Sequence, residues 1–157
     1  IPMDPKETGG SLHDKLSEAG AKLCVETLKG LQEGTITAIP QGESPTAYAK
    51  MLDKQLGNVD WTKDADAIER LIRGLSPWPS AYTNWNEKVM KIWDASALDG
   101  KSDKAPGTIA KVEKDAFYVQ TGNGLLKVCE LQIPGKKRMD AGAFMRGYQV
   151  KEGEILG

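Results

Sequence analysis

The sequence predicts an α+β protein in which a helical N-terminal segment and a helical linker precede a small, open β-barrel. Leucines recur at helical spacing between residues 12 and 31, and a second helical pattern covers residues 63–75. From Tyr82 onward the pattern changes to short β-prone runs separated by turn signals. The expected boundaries are residues 1–40, a linker over residues 41–79 and a barrel over residues 80–157.

The composition is that of an ordinary folded protein, and its balanced charges exclude attraction of nucleic acid by the overall charge of the chain. Its 157 residues are 39% hydrophobic and 27% charged, which suffices for a core without staples. The 21 Lys and Arg nearly balance the 22 Asp and Glu, so no overall field attracts the chain to nucleic acid. Acidic residues exceed basic ones in residues 1–94 and the reverse holds in residues 95–157, so any such binding is expected to be local to the C-terminal part.

The first predicted helix covers residues 11–31. Ser11 is the expected N-cap, with Asp14 three residues on as in a capping box, and Gly34 the expected terminator. Its leucines form one broad apolar face that needs a packing partner, and no preceding strand supplies one. The leucines of this face are Leu12, Leu16, Leu23, Leu28 and Leu31.

The linker is expected to contain two further helices. Ser44-Pro45 reads as an N-cap followed by proline at the first helical position, which predicts a short helix ending at Lys54. A polar connector, LGNVDWTK, covers residues 56–63, and Thr62 is expected to cap the next helix. That helix ends before the prolines of SPWPSA, since neither proline can donate a backbone hydrogen bond. Its inward residues are expected to be Ile68, Leu71, Ile72 and Leu75.

The remaining residues predict a barrel of five or six short strands. YTNW and KVMKIWDASA read as strands joined at Asn86-Glu87, with Val89 and Ile92 pointing inward. APGTIAKVE, AFYVQTG and GLLKVCELQI follow, and the last two are joined by a turn at Thr121–Gly124. Asp140 is expected to cap a short helix ended by Gly147, and YQVKEGEIL to form a closing strand. This order favours the OB type of barrel.

A local cluster of basic residues is the candidate binding site. Lys136, Lys137 and Arg138 follow Pro134-Gly135, so they are expected on a turn from which long side chains extend outward, and a solvated loop is the alternative. Arg146 falls on the short helix behind them, and Lys127 and Lys151 are expected nearby if the barrel closes. On the predicted linker helix, Lys50 and Lys54 are four residues apart and share a face. Together these residues could follow a nucleic-acid backbone.

Residues that commonly carry catalysis or bind metals are scarce. His13 is the only histidine, and it lies in a helix start without a nucleophile beside it. Cys24 and Cys129 show neither zinc-site spacing nor a disulfide framework. We therefore predict no catalytic, cofactor-binding or metal site in this chain. Most of the four tryptophans are expected to serve packing, and without a long apolar run or a leader a cytoplasmic protein outside the membrane is expected.

Six short stretches, in order and with matching spacing, resemble the methionyl-tRNA formyltransferases over essentially the whole chain. They are ETGGSLHDKL, GNVDW, PWP, PGT, TGNGLLKV and ELQIPGKKRM, and the final FMRGYQVKEGEILG is similar as well. In that family a Rossmann-like domain holds 10-formyltetrahydrofolate and a catalytic asparagine, histidine and aspartate, and a linker leads to an OB-like barrel that helps to hold initiator tRNA.

The resemblance implies a C-terminal fragment of such an enzyme. The family's catalytic trio lies upstream of the segment matching ETGGSLHDKL, so this chain alone is expected to be inactive, with its N-terminal catalytic domain missing and no cofactor of its own. Residues 1–40 would be the tail of that domain, which would explain the Ile1-Pro2 start and the unpaired leucine face. Basic linker residues of the family map to Lys50 and Lys54, and the barrel's contacts with the tRNA backbone map to Lys136, Lys137 and Arg138. A monomer that binds initiator tRNA is expected.

Two other interpretations remain open at this stage. The chain could be a free-standing barrel that binds protein partners through its tryptophans and its exposed helix. It could also be the same part of a related enzyme that uses formyltetrahydrofolate. ELQIPGKKRM favours the tRNA enzyme, because a tRNA substrate gives the basic turn a role.

Overall fold

The computed structural model describes residues 1–100 and 102–157, which form an α+β fold with one antiparallel sheet. The helices are α1 (Gly9–Glu33), α2 (Ala65–Gly74) and α3 (Ala141–Gly147), with a 3₁₀ turn at Gln55–Gly57. The strands are β1 (Ala81–Trp85), β2 (Lys88–Leu98), β3 (Ile109–Val112), β4 (Phe117–Gln120), β5 (Leu125–Gln132) and β6 (Met139–Asp140). The α+β class is therefore confirmed.

The sheet runs in the order β1-β2-β5-β4-β3, and β6 pairs with β5. The predicted turns are both present: β1 and β2 are joined by Asn86 and Glu87, with φ of 48° and 62°, and β4 and β5 by Thr121–Gly124. Only Gly124 of the second turn has a positive φ, 85°. Gly122 is required for a different reason, because a Cβ there would lie 1.9 Å from the carbonyl oxygen of Thr62.

The C-terminal segment joins the two edges of the sheet without forming a strand. The strand predicted over YQVKEGEIL is therefore wrong, although residues 153–157 are hydrogen-bonded. The amide of Ile109 donates to the carbonyl of Glu154 on the β3 side, and the amide of Gly157 donates to the carbonyl of Asn84 in β1. The indole of Trp85 donates to Glu154 at 2.7 Å, which fixes the segment against the sheet.

The core lies between the sheet, α2 and α3. Phe117, Phe144, Met90 and Ile92 are almost fully buried, and α2 contributes Ile68, Ile72 and Leu75. The inward prediction for Ile92 is confirmed and that for Val89 is wrong. Side chains alternate along a strand, so Met90 and Ile92 point inward while Val89 is 42% exposed.

The connector before α2 belongs to the core, which corrects the prediction of a polar linker. Val59 and Trp61 are each 5% exposed, and the indole of Trp61 donates to the Thr83 hydroxyl at 3.0 Å. The N-cap of α2 is Asp64 rather than Thr62. The Thr62 hydroxyl instead donates to the Asp60 carboxylate at 2.6 Å, so it closes a local turn.

Helix α1 begins two residues earlier than predicted and leaves its leucines exposed. Thr8 is the N-cap, and it exchanges hydrogen bonds with Ser11 in a capping box, so neither Ser11 as cap nor Asp14 as its partner is correct. Gly34 ends the helix with a φ of 69°, as predicted. The exposed large side chains of its apolar face are Leu16, Leu23, Leu28 and Leu31.

The helix predicted from Ser44 to Lys54 is absent. Residues 35–53 have no regular secondary structure, and Lys54 only precedes the 3₁₀ turn. The side chains of Tyr48 and Met51 are 89% and 91% exposed, so this segment packs little against the rest of the fold. A helix this short is not stable in water without packing, because its nucleation cost is not offset.

Candidate nucleic-acid interface

A tight turn at the end of β5 presents the basic cluster. The amide of Lys136 donates to the carbonyl of Ile133 at 3.1 Å, and Gly135 between them has a φ of 74°. Proline at the second position and a glycine with positive φ at the third are the residues that a type II turn favours. We call residues 133–138 the basic turn. Its side chains at Lys136, Lys137 and Arg138 are all exposed, as the sequence predicted.

The three cations of the basic turn are not equivalent. Arg138 is ion-paired with Glu130 on β5, and it also lies over the ring of Trp93 with its guanidinium carbon 5.4 Å from the ring centre. Within the part of the chain that the structure describes, Lys136 and Lys137 form no ion pair. A phosphate can therefore approach these two lysines without displacing a carboxylate, whereas Arg138 is already partly neutralised.

Trp93 lies beside the basic turn on a β-bulge. Ile92 is paired with Leu131 and Asp94 with Glu130, so Trp93 is the extra residue of β2 at this point. Its indole donates to the Gln132 side chain at 3.2 Å, and the ammonium of Lys91 lies 5.6 Å from the ring centre. We call Lys91, Trp93, Gln132 and Arg138 the Trp93 cluster. This cluster was not predicted from the sequence, although the spacing of Lys91 and Trp93 in KIW indicates a shared strand face.

Arg146 lies in a separate groove beside α3. Lys114 and Lys151 line the same groove, so three cations face one concave surface. The carboxylate of Glu113 also lines it, and hydrogen bonds from Lys111 and from the Tyr118 hydroxyl hold its pKa below the ordinary value. Lys151 was expected near Lys136, Lys137 and Arg138, and it lines this groove with Arg146 instead.

The remaining predicted residues are not brought to the basic turn. Lys127 lies within β5, in register with Tyr118 and Ser96. Lys50 and Lys54 are in the irregular segment before α2, so they do not share a helix face and that prediction is wrong. Leu52, between the two lysines, lines a groove at the start of α1 together with Trp78. The basic turn instead borders a groove lined by Val89 and Lys91.

A network of charged residues holds the start of α1 against α2. Buried Glu7 accepts hydrogen bonds from Lys15 and Ser11. These bonds lower its pKa to about 2, although burial by itself would raise the pKa. The guanidinium of Arg73 donates to the carbonyl of Glu7 at 2.7 Å and to the carboxylate of Glu69 at 2.7 Å. Burial by itself would raise the pKa of Glu69. The hydrogen bonds and positive charges of Arg73 and Lys6 have the larger combined effect, so the pKa is lowered.

In residues 1–100 and 102–157, no group of three or more His, Cys, Asp or Glu is placed to hold a metal ion. Cys24 and Cys129 are free, and burial raises the pKa of the Cys129 thiol. No helix in this part of the chain has both the length and the apolar character that crossing a membrane requires.

Comparison with known proteins relates the chain to formyl-transferring enzymes. Residues 51–149 match the protein family described as the formyl transferase C-terminal domain. The methionyl-tRNA formyltransferase of Agathobacter rectalis is 54% identical over 156 residues, which cover 99% of this chain and 50% of that protein. The same enzyme of Clostridioides difficile is 41% identical over 157 residues, covering 100% of this chain and 51% of that protein. The chain thus spans about half the length of the curated relatives it matches.

Among solved structures the chain is similar to HypX from Aquifex aeolicus in complex with tetrahydrofolic acid. The TM-score is 0.66 at 19% sequence identity, and the match covers 99% of this chain and 28% of that one. At this identity the similarity concerns the fold alone.

Proposed function

The chain belongs to the family of formyl transferase C-terminal domains, and from this membership we propose that it is the tRNA-holding part of a methionyl-tRNA formyltransferase. The parent enzyme would transfer a formyl group from 10-formyltetrahydrofolate to the methionine of initiator tRNA. The barrel, in this proposal of OB type, would contact the tRNA backbone. Such contacts orient the substrate and contribute affinity without reading its sequence.

The exposed, unpaired lysines of the basic turn are the observation that carries this proposal. Lys136 and Lys137 project from a turn whose backbone is fixed twice, by the Ile133 carbonyl and by the Gln132 side chain, which donates to the carbonyl of Lys136 at 2.8 Å. A rigid turn loses little entropy on binding, so more of the attraction to phosphate appears as affinity. Arg146, in its own groove, offers a second cationic contact.

The N-terminal part of the chain has a separate role in this proposal. Residues 1–40 would complete the catalytic domain of the parent enzyme, whose catalytic residues and folate site lie outside this chain. The exposed leucine face of α1 supports this assignment, because a helix that covers a sheet needs such a face. We keep Lys50 and Lys54 as tRNA contacts of the linker, now in an irregular segment rather than on a helix.

Charge reversal at the basic turn tests the proposal. We expect the variant Lys136→Glu, Lys137→Glu to bind initiator tRNA more weakly than the unchanged chain. Its slope of log K against log salt should be shallower by about 2, since each lysine lost removes roughly one phosphate contact. The matched control is Lys22→Glu, Lys29→Glu, which makes the same change in net charge at two exposed positions of α1.

The control separates a local contact from a general charge effect. If both double variants lose the same affinity, net charge rather than the basic turn governs binding. If neither loses affinity, the basic turn is a solvated loop and the proposal fails.

The second candidate is the same part of another enzyme that uses a folate. The fold shared with HypX, whose structure contains tetrahydrofolic acid, favours it. The far higher identity to methionyl-tRNA formyltransferases favours the first candidate. Preference for initiator tRNA over a duplex RNA of equal charge would discriminate between them.

A further inference from the structure

Two of the four tryptophans, Trp78 and Trp93, lie outside the hydrophobic core, and of these Trp93 lies beside the basic turn. Trp61 and Trp85 are buried, and their indoles donate to Thr83 and Glu154 within the barrel. Trp93 is only half-buried and does not belong to the hydrophobic core. It stands on a β-bulge, and bulges frequently turn a side chain toward a functional surface.

The charges around Trp93 restrict what could bind there. Lys91 and Arg138 both lie within 6 Å of the ring centre, at 5.6 and 5.4 Å. Two cations so close to one ring repel a cationic ligand, which excludes the ammonium groups that aromatic sites otherwise attract. They favour a ligand that has a planar group to stack on the ring and a negative charge close to that group. A nucleotide has both properties.

Gln132 connects the Trp93 cluster to the basic turn. Its side-chain oxygen accepts the indole hydrogen of Trp93 at 3.2 Å, and its side-chain nitrogen donates to the carbonyl of Lys136 at 2.8 Å. The ring and Lys136 are thus joined through one residue. A nucleotide whose phosphate binds Lys136 would therefore have its base within reach of Trp93.

We propose that the Trp93 cluster is a stacking site for one unpaired base of the bound RNA. The proposal rests on the proposed function and goes beyond it, because phosphate contacts ignore the bases whereas stacking requires one. Arg138 lies over the ring and is held in place by Glu130, so the base would stack against the guanidinium or take its place on that face of the ring. Stacking of this kind tolerates any base, since every base has an aromatic face.

The test compares two RNA strands that differ only in their bases. One is an unstructured strand of about 12 nucleotides, within the length that small barrels bind, and the other is a fully abasic strand with the same phosphates. We expect the chain to bind the strand with bases roughly 5- to 150-fold more tightly, as one stacked base provides. Trp93→Leu should lower that affinity to the abasic level and leave abasic binding unchanged.

Two further variants distinguish stacking from a loss of structure. Trp93→Phe keeps an aromatic face and should retain most of the preference for bases. Trp78→Leu removes a tryptophan that is 57% exposed and lies outside the cluster, so its affinity for both strands should stay unchanged. Thermal unfolding of each variant verifies the fold.

The possible outcomes contradict either the stacking site alone or the proposed function together with it. If both strands bind equally and with a steep salt dependence, or if Trp93→Leu weakens both alike, stacking is excluded while the phosphate contacts remain. If neither strand binds at low salt, the proposed function fails and the stacking site fails with it. A base preference that Trp93→Phe abolishes as fully as Trp93→Leu would also contradict stacking.

Discussion

At the scale of single residues, the charge on Glu7 secures the start of α1. Its carboxylate is buried yet ionised, because Lys15 and Ser11 donate to it and the amide of Asp4 does so at 3.1 Å. The folded-state pKa of about 2 lies below the ordinary value of 4.5. Stabilisation by this group is therefore fully present above about pH 4.5 and is lost as the pH falls toward about 2.

This linkage predicts a pH-dependent difference between the unchanged chain and Glu7→Gln. Protection of the amides of residues 10–15 against hydrogen exchange, corrected for the intrinsic rate, should be higher in the unchanged chain above pH 4.5. The difference should shrink as the pH approaches 2, because protonation makes Glu7 resemble glutamine. A difference that persists unchanged at low pH would contradict the pKa shift as its cause.

The charges of the basic turn show what the sequence could predict at this scale. The exposure of Lys136 and Lys137 followed from Pro134-Gly135, since turn chemistry is local. The pairing of Arg138 with Glu130 and its position over Trp93 did not, because both depend on the register of β2 and β5. That register contains a bulge, which the alternation of residue types does not reveal.

At the scale of elements, α1 is held at its start and is free of packing along most of its length. Charged contacts fix its first turns against α2, whereas Leu23 and Leu28 are 64% and 61% exposed. Burial of an apolar face is the main stabiliser of helices in proteins, and that term is absent for the second half of α1.

We therefore expect α1 to exchange unevenly. Amides from Leu16 to Glu33 should exchange long before those at the centre of β2 and β5, such as Ile92 and Val128, which require global unfolding. Hydrogen exchange read by mass spectrometry at two protein concentrations measures this. If the second half of α1 is as protected as β5, the expectation is contradicted. If that protection is then lost when the protein is diluted, a second copy of the chain covers the leucine face.

The elements that the sequence predicted correctly are those set by local signals. The β1–β2 hairpin, the turn at Thr121–Gly124 and the Asp140 cap of α3 each follow from a few adjacent residues. In α3 the Asp140 carboxylate accepts from the amide of Ala143 at 2.6 Å. The false helix ending at Lys54 had the local signal of Ser44-Pro45 but nothing to pack against. Local propensity alone did not decide that segment.

At the scale of the whole molecule, distant segments cover the free edges of the sheet. The amide of Val59 donates to the carbonyl of Tyr82 in β1, and residues 153–157, which follow the region matching the family, connect β3 with β1. Such pairings join residues far apart in the chain. The sequence predicted a closing strand over residues 148–156, but local signals do not reveal which edges of the sheet this segment contacts. A covered edge is less able to pair with other chains.

The basic turn stands exposed at one end of this sheet. The hairpin of β5 and β6 fixes the turn at both ends, through Leu131 paired with Met139 and Glu130 paired with Asp140. In the proposed function, this rigid surface holds an RNA backbone through its lysines.

Binding of initiator tRNA to the chain at several salt concentrations tests that claim most directly. If about four phosphates are contacted, log K should fall against log salt with a slope of roughly −3 to −4, and Lys136→Glu, Lys137→Glu should reduce that slope. Absence of binding at low salt, or binding that does not change with salt, would contradict the claim and leave the basic turn a solvated loop.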